Sequence, residues 1–162
     1  MKVCLTCSPG GHLTQLEQLR PWWGLHERFW VVPERDDTRS VLPGERVIPP
    51  YYPTTRNAKN AIRNFFLALR TLRRERPDVI VTTGAGIALP FFLAAKLLGI
   101  ATVYTEVFGR INLPTLSGRL CHPLADLFVL QWPDQQRFYP KGQLVGPLLP
   151  AMATRGEALD AG

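Results

Sequence analysis

Hydrophobic residues along this chain form short runs that alternate with segments of helical periodicity. The runs KVCLTC, RFWVVP, RVIP, DVIVTT, ATVYTE, LFVLQW and GQLVG predict strands. The segments LTQLEQLR, NAKNAIRNFFLALRTLRRER, GIALPFFLAAKLLG, SGRLCHPLA and DQQRFY predict helices or helical turns. Such alternation is typical of an α/β domain with a mostly parallel sheet and helices on both faces, and 162 residues allow one such domain.

The strands DVIVTT and LFVLQ are apolar at consecutive positions, which predicts that both of their faces are covered. We place the domain at residues 1–148. The remaining stretch, 149–162, is small and polar, and it predicts either a frayed tail or a helix that docks on a partner.

No apolar run reaches the roughly 18 residues that a transmembrane helix needs. The N-terminus MKVCLTCSPGG lacks the apolar stretch and cleavage site of a signal peptide, so we expect a cytosolic protein with reduced cysteines. Cys4 and Cys7 form a C-x-x-C inside a strand, without further ligands beside them. We therefore expect no metal site and no cofactor.

The carboxyl ends of the strands are where open parallel sheets bind ligands. The first end reads SPGGH, in which Gly10 and Gly11 allow a tight turn with exposed amides that suits a phosphate or diphosphate, and Ser8 adds a hydroxyl. His12 could bind a phosphate or take a proton from an attacking hydroxyl. The same residues also fit a plain glycine turn with a helix-capping histidine.

A second glycine turn, TTGAG, follows the strand DVIVTT. Its candidate ligand-binding residues are Thr83, Gly84 and Gly86. Glu106 follows about 20 residues later, as in a dinucleotide-binding motif, but Leu89 replaces the third glycine, so a second anion-binding turn fits better. Glu106 and Arg110 predict an acid and a guanidinium beside the cleft, or alternatively a local ion pair.

The net charge of +6 is concentrated in one helix, because residues 56–76 hold seven cations and one anion. Helical spacing predicts a core stripe of Ala58, Ala61, Ile62, Phe65, Ala68, Leu69 and Leu72. Cations occupy the opposite arc, namely Arg56, Lys59, Arg63, Arg70 and Arg74.

Phe66 and Leu67 fall outside the core stripe and bracket these cations, which is typical of a helix lying on an anionic membrane surface. The predicted membrane contacts are Arg63, Phe66, Leu67, Arg70 and Arg74. An ordinary charged outer face is the alternative. We expect no nucleic-acid partner, because no RNA-binding motif accompanies the charge.

Five segments together resemble a known family. SPGGHLTQL, VIVTTGAG, VYTEVFGRINLPTLSGRL, ADLFVLQWPD and YPKGQLVG, spread over residues 2–147, are similar to the polysaccharide-biosynthesis proteins PssD and EpsE. These are bacterial relatives of the Alg-fourteen subunit of the dolichol-linked N-acetylglucosaminyltransferase. The resemblance implies a Rossmann-like domain, equivalent to the N-terminal, acceptor-binding half of a GT-B glycosyltransferase such as MurG.

The resemblance also implies a function, that of the acceptor-binding and membrane-recruiting subunit of a two-chain, inverting, UDP-sugar-dependent hexosyltransferase. Such a subunit is inactive alone, and its donor-binding partner is PssE-like or EpsF-like. The acceptor is a sugar linked through diphosphate to undecaprenol, in exopolysaccharide or capsule assembly. We expect the protein to be peripheral, on the cytoplasmic face of the inner membrane.

The family pattern transfers to this chain by position. Gly10, Gly11 and His12 match its first glycine loop and histidine, and Gly84 and Gly86 match its second glycine turn. Glu106 and Arg110 match its acidic strand end and arginine. The resemblance implies that His12 or Glu106 is the base, and that the two turns and Arg110 hold the diphosphate.

Two departures from the family pattern stand out. TEVFGRI replaces an ESFARV-like strand end, and the N-terminal transmembrane anchor of the eukaryotic members is missing, so attachment would rest on the basic helix or on other membrane partners. Two further functions stay open: a self-sufficient nucleotide-binding enzyme and a non-catalytic membrane scaffold.

Overall fold

The sheet of this protein is parallel throughout. The computed structural model describes residues 1–148, and the predicted tail at 149–162 lies outside them. Six strands follow the order β2-β1-β3-β4-β5-β6. They are β1 (Lys2–Thr6), β2 (Glu27–Val31), β3 (Val79–Thr82), β4 (Ala101–Thr105), β5 (Leu127–Leu130) and β6 (Gln143–Leu144). The predicted α/β class with its parallel sheet is confirmed.

The helices of the described residues lie in the connections between these strands. They are α1 (Gly11–Glu17), α2 (Arg20–Trp23), α3 (Asp36–Val41), α4 (Ala58–Glu75), α5 (Ala88–Leu98) and α6 (Leu116–Cys121). Two 3₁₀ turns cover His122–Leu124 and Pro133–Arg137. None of the helices in residues 1–148 combines the length and apolar character needed to cross a membrane.

The predicted strand RVIP is wrong. Its backbone makes a single bridge with β2, in which the Trp30 amide donates to Arg46 O and the Ile48 amide donates to Trp30 O, each at 2.8 Å. Pro49 and Pro50 follow and have no amide hydrogen, so the ladder cannot continue. The sequence pattern also missed α3.

One face of the sheet is covered by α4, α5 and α6. Phe29, Ile80 and Phe128 point into this layer and pack against Leu72, Phe91 and other buried residues of the helices. On the other face, α1 and α2 cover the side near β2 and β1, where Trp23 meets Trp30 edge to face at 5.4 Å.

The second face is open over the other half of the sheet. Val103 of β4 and Leu127 and Val129 of β5 are only half-buried there. The prediction of covered strands is right for β3, which is buried throughout, and wrong for β5 within residues 1–148. An apolar groove of about 600 Å³ runs over these strands from a rim at Leu19 and Trp22.

The buried face of α4 is rotated from the predicted stripe. Its buried residues are Asn60, Asn64, Ala68, Thr71, Leu72 and Glu75. Ile62, predicted to lie in the core, is 61% exposed, and Ala58 is exposed as well. The stripe prediction is therefore wrong for these two residues and right for Ala68 and Leu72.

Polar side chains of α4 are buried because they bind backbone and cations nearby. Asn64 accepts from the Tyr51 amide at 2.8 Å and donates to Tyr51 O at 3.0 Å, and Asn60 donates to Pro53 O at 3.0 Å. Glu75 accepts from Arg46 at 2.7 Å and from Lys2 at 3.2 Å. The helix thus holds residues 51–53 and the start of β1 in place.

Candidate functional site

The carboxyl ends of β1, β3, β4 and β5 meet at one edge of the sheet, as predicted for a parallel α/β domain. The loops at these ends are 7–12, 83–86, 106–110 and 131–134. Hydrogen bonds join each of them to at least one neighbour. Most of the predicted site residues therefore lie in one connected set of loops.

The first glycine loop has free space around it. Gly10 has φ +77, a left-handed conformation that favours glycine, whereas Gly11 has no such conformation. A Cβ built at either position meets no atom within 4 Å. Packing therefore does not explain the glycine at position 11. Beside the loop lies a polar pocket of about 290 Å³, lined by Ser8, Pro9, Gly10, Arg35, Tyr52, Thr54 and Thr55.

His12 is held in one orientation by the second glycine turn. Its Nδ1 donates to Thr83 O at 2.9 Å, because a carbonyl oxygen can only accept. The Thr83 hydroxyl donates in return to His12 O at 2.9 Å. In the neutral imidazole the proton is thus on Nδ1, so that Nε2 carries the free lone pair.

The surroundings of His12 favour its neutral form, because the pKa of the imidazole is lowered from its ordinary value. Burial is the main cause that lowers the pKa of its imidazole, and the charge of Arg110 lowers it further. The bond to Thr83 O and the charge of Glu106 raise the pKa, but they do not outweigh burial. A half-buried, neutral histidine with a free Nε2 can accept a proton from a hydroxyl.

The glycines of the second turn are required by packing. Gly84 has φ +101, and a Cβ there would collide with the hydroxyl of Tyr104. A Cβ on Gly86 would collide with the backbone carbonyl of Thr54. The Gly84 amide already donates to the Thr82 hydroxyl at 3.0 Å. This turn therefore packs against Thr54, and Thr83 holds His12 in place.

Glu106 is fully buried, and its carboxylate accepts several hydrogen bonds. Tyr139 donates to Oε2 at 2.7 Å, and the Thr115 hydroxyl and the Val107 amide each donate to Oε1 at 3.0 Å. The Thr115 hydroxyl also caps α6 by accepting from the Gly118 amide at 2.9 Å. Burial and the contact with Glu106 raise the pKa of Tyr139.

Arg110 lies on the exposed loop after β4. No ion pair between Glu106 and Arg110 forms in the described part of the chain, so the local-pair alternative does not describe this structure. The two residues are brought to the same loop, with the acid inside and the guanidinium outside.

Three buried glutamines connect the loops, and the sequence analysis missed them. Gln131 donates to Gln15 Oε1 and to Glu106 O, both at 2.8 Å, and accepts from the Leu148 amide at 2.9 Å. Gln15 donates to Gly11 O at 3.1 Å. Gln135 Oε1 accepts from the Gln131 amide at 2.8 Å. The one sequence signal was the polar strand end QWPD.

The predicted membrane contacts lie on the outer side of α4. Phe66 is 63% exposed, and Arg63 lies over the Tyr51 ring with its guanidinium carbon 3.9 Å from the ring centre. Tyr51, Arg63, Phe66, Leu67 and Arg70 line a shallow pocket of about 270 Å³. Arg74 pairs with Glu75 at 2.9 Å and is the one predicted contact whose charge is locally balanced.

The cysteines are buried and unpaired. Burial raises the pKa of the Cys121 thiol to about 12 and raises that of Cys4 and Cys7 as well. Within residues 1–148, His, Cys, Asp and Glu side chains form no cluster that could hold a metal ion.

Comparison with known proteins identifies relatives by sequence. Residues 51–148 match the family described as "Oligosaccharide biosynthesis protein Alg14 like", which is more than half of the chain. Human "UDP-N-acetylglucosamine transferase subunit ALG14" is 28% identical over 114 residues, which are 67% of this chain and 52% of that protein. The Schizosaccharomyces pombe protein of the same name is 37% identical over 75 residues, covering 43% and 36% of the two chains. The chain spans about half the length of the human relative it matches.

Solved structures share the fold. The MurG of Acinetobacter baumannii has a TM-score of 0.70 at 16% identity, over 82% of this chain and 42% of that chain. The UDP-N-acetylglucosamine 2-epimerase of Rickettsia bellii has a TM-score of 0.75 at 14% identity, over 96% and 47% of the two chains. The present domain is therefore similar to one half of such GT-B-like proteins.

Proposed function

This chain belongs to the Alg14 family, and we propose that it is the acceptor-binding, membrane-recruiting subunit of a two-chain, UDP-sugar-dependent glycosyltransferase. Its acceptor is a sugar linked through diphosphate to a polyprenol, and the donor-binding domain is supplied by a separate PssE-like or EpsF-like chain. The protein acts as a PssD/EpsE-like member of the family in exopolysaccharide or capsule assembly. It lies peripherally on the cytoplasmic face of the inner membrane.

The comparisons support a subunit role. The sequence relatives carry the word "subunit" in their names, as parts of a UDP-N-acetylglucosamine transferase. The matched structures are about twice as long as the region they share with this chain. A GT-B-like enzyme uses two such domains, and in our proposal the partner chain supplies the donor-binding one.

The geometry of His12 is the observation that carries the proposal. Its Nδ1 proton is engaged by Thr83 O, so Nε2 is the atom that takes the proton of the acceptor hydroxyl. The acceptor oxygen then attacks the anomeric carbon of the sugar from the face opposite the nucleotide, and UDP leaves. Attack from that side inverts the configuration at this carbon.

His12 fits the role of base better than Glu106 does. The Glu106 carboxylate has no exposed surface and accepts hydrogen bonds from Tyr139, Thr115 and Val107. A base must reach the reacting hydroxyl directly or through one water. We assign Glu106 a positioning role, in which it fixes the loop that carries Arg110 and the start of α6.

The diphosphate is proposed to lie over the first glycine loop. Gly10 and Gly11 leave open space in which phosphate oxygens can approach backbone amides, and Ser8 supplies a hydroxyl. Arg110 adds positive charge from the neighbouring loop. Thr83, Gly84 and Gly86 support this arrangement from the second turn, since Thr83 and Gly84 are buried.

The test is transfer of radiolabelled sugar from a panel of UDP-sugars to polyprenyl-diphosphate-linked acceptors. We expect activity only when this chain is mixed with its donor-binding partner. His12→Ala should reduce transfer by 10²-fold or more at unchanged complex formation, about the share expected of a general base. His26→Ala is the matched control, since this histidine packs on Trp22 and precedes β2, at the amino end of the strands rather than the carboxyl end where the loops lie.

Two outcomes would contradict the proposal. Equal transfer by this chain alone would make it a self-sufficient enzyme. Full activity of the mixture with His12→Ala and Glu106→Ala would make it a non-catalytic scaffold.

A further inference from the structure

The carboxyl end of β2 lies at the same edge of the sheet as the candidate site, but the proposed function does not use it. The polar pocket of about 290 Å³ beside the first glycine loop lies there. Its walls come from three loops: residues 8–10 after β1, Arg35 after β2, and residues 52–55 before α4. Ligands of parallel α/β sheets bind at this edge, so the pocket is a candidate binding site.

The pocket offers one positive charge and several hydroxyl groups. Arg35 supplies a guanidinium, and the hydroxyls belong to Ser8, Tyr52, Thr54 and Thr55. Among the described residues, no carboxylate lines it. A guanidinium binds phosphate through paired N–H donors, and side-chain hydroxyls exchange hydrogen bonds with the hydroxyls of a sugar. This combination matches a ligand that is both anionic and rich in hydroxyls, such as a sugar phosphate.

We propose that this pocket binds the glycosyl phosphate end of the acceptor, with Arg35 on the phosphate and with Thr54 and Thr55 on the sugar. The inference rests on the proposed function and adds the residues that recognise the acceptor sugar. A volume of about 290 Å³ is near the lower end of small-molecule sites, which begins at roughly 300 Å³. The pocket therefore suits one sugar rather than an oligosaccharide.

The wall formed by residues 52–55 is held in place from two sides. On one side, Asn64 of α4 accepts from the Tyr51 amide at 2.8 Å and donates to Tyr51 O at 3.0 Å. On the other side, the main chain of Thr54 packs against Gly86, where a Cβ would collide with Thr54 O. Ordering a loop during binding costs free energy, so a wall that is ordered beforehand favours binding. The buried Asn64 thus contributes to the pocket as well as to the packing of α4.

Arg35 and Arg110 approach the first glycine loop from opposite sides. Arg35 follows β2 and Arg110 follows β4, and β1, which precedes the glycine loop, lies between these two strands in the sheet. The loop that carries Arg35 is closed by the Thr38 hydroxyl, which donates to Pro33 O at 2.9 Å. A diphosphate over the glycine loop therefore has a guanidinium on each side, which suits a group with two negative phosphates.

The pocket adjoins the predicted membrane surface of α4. Tyr51 lines the shallow pocket of that surface together with Arg63 and Phe66, and the next residue, Tyr52, lines the polar pocket. The glycosyl phosphate of a lipid-linked acceptor lies at the surface of its membrane, so a pocket beside that surface can receive it. This position favours a lipid-linked sugar over a freely diffusing sugar phosphate as the ligand.

Binding is tested on the full chain by heteronuclear NMR titration with the anomeric phosphates of glucose, galactose and N-acetylglucosamine, and with inorganic phosphate and glucose alone. We expect a sugar phosphate to shift the amide signals of residues 8–10 and 54–55 and to bind more tightly than phosphate or glucose. Arg35→Gln should weaken this binding about tenfold or more, because a hydrogen bond to a charged group is lost. Arg39→Gln is the matched control, since Arg39 is an exposed arginine of α3 outside the pocket lining.

Several outcomes of the titration would overturn the inference. Absence of binding, or shifts confined to other loops, would show that the pocket does not take a sugar phosphate. Equally tight binding of inorganic phosphate would make it a phosphate site without sugar recognition. Equal losses in Arg35→Gln and Arg39→Gln would indicate a general charge effect.

Transfer kinetics separate this inference from the proposed function. In the two-chain enzyme, Arg35→Gln should raise KM for the polyprenyl-diphosphate-linked acceptor about tenfold or more and leave KM for the UDP-sugar unchanged. A normal acceptor KM in Arg35→Gln, with transfer still dependent on His12, would overturn the inference and leave the proposed function standing. Arg35-dependent binding of sugar phosphates without transfer to any lipid-linked acceptor would assign the pocket to a free sugar phosphate and contradict the proposed function.

Discussion

Two glycine turns of similar sequence have different reasons for their glycines. Gly86 is required because a side chain there would collide with the backbone of Thr54. Gly84 is required because its φ is +101 and a side chain there would collide with Tyr104. Gly11 has neither a left-handed conformation nor a neighbour within reach of a side chain. Folding does not require glycine at position 11, which agrees with the proposal that a ligand approaches the main chain there.

Gly11→Ala separates folding from binding. The melting temperature should stay the same or rise, because alanine fits the first turn of α1 and restricts the unfolded chain. Transfer by the two-chain enzyme should fall about tenfold or more, since a methyl group would displace the diphosphate. Gly86→Ala is the contrast, because its methyl group collides with Thr54 and should lower the melting temperature. Unchanged transfer by Gly11→Ala would show that the diphosphate does not bind at this loop.

The protonation of His12 predicts a pH profile. A base works only when unprotonated, so kcat/KM for transfer should rise with pH through the pKa of His12 and then level off. Burial lowers this pKa, so the midpoint should lie below the ordinary value of 6.5. The profile of the unmodified complex is compared with that of His12→Gln, which should lose the inflection along with most of the activity. An inflection that persists in His12→Gln would assign the base to another group.

At the scale of the elements, α4 illustrates what a helical pattern can and cannot predict. Its length and its exposed cations were predictable from spacing and composition. The orientation of its buried face was not, because Asn60 and Asn64 are buried by hydrogen bonds to residues 51–53. A hydrophobicity pattern assigns asparagine to the surface. The predicted core stripe was therefore displaced toward Ile62, which the structure shows to be exposed.

The rotation strengthens the membrane proposal. Ile62 and Phe66 are four residues apart on the outer side of α4, and both are more than 60% exposed. Together they form an apolar ridge beside Arg63 and Arg70. Such a ridge can enter the headgroup region of a membrane while the cations meet anionic lipids.

Ile62→Ser tests this placement directly. Its free energy of unfolding should change by less than about 0.5 kcal/mol, as for an exposed position, whereas Leu72→Ala should cost about 2–5 kcal/mol. Binding to anionic vesicles, measured by sedimentation, should fall about tenfold for Ile62→Ser, since burial of one such side chain contributes about 1.5 kcal/mol or more.

Charge reversal completes the vesicle experiment. Arg63→Glu with Arg70→Glu should release the protein from anionic vesicles. Arg20→Glu with Arg39→Glu makes the same change in charge on α2 and α3 and should retain more binding. Equal losses in the two pairs would indicate a general charge effect rather than a surface on α4.

At the scale of the whole molecule, the parallel sheet and the meeting of the loops at its carboxyl edge were predictable from the sequence, whereas the order of the strands was not predicted. Strand and helix periods predicted the class, and the class predicted where the loops meet. The glutamine network did not follow, because Gln15 and Gln131 are 116 residues apart and neither lies in a recognisable motif. Hydrogen bonds between distant polar residues depend on packing that a local pattern does not contain.

Gln131 is the centre of this network, and its loss should affect several loops together. Gln131→Leu removes the hydrogen bonds to Gln15 Oε1, to Glu106 O and from the Leu148 amide, and Gln15 Oε1 keeps only the bond from the Phe108 amide, so stability should fall by about 2 kcal/mol or more in chemical denaturation. The exposed Gln136→Leu should change it by less than about 0.5 kcal/mol. Similar stabilities of the two variants would show that the network does not hold the loops together.

The carbonyl oxygen that accepts the hydrogen bond of His12 has a consequence for how this protein can vary over evolutionary time. Nδ1 is bound by the main-chain oxygen of residue 83, an atom that every amino acid provides. Drift at position 83 can therefore replace threonine without abolishing the bond, provided that the path of the main chain is kept. The tautomer of the histidine therefore depends on the main-chain path of the turn and not on the identity of any neighbouring side chain.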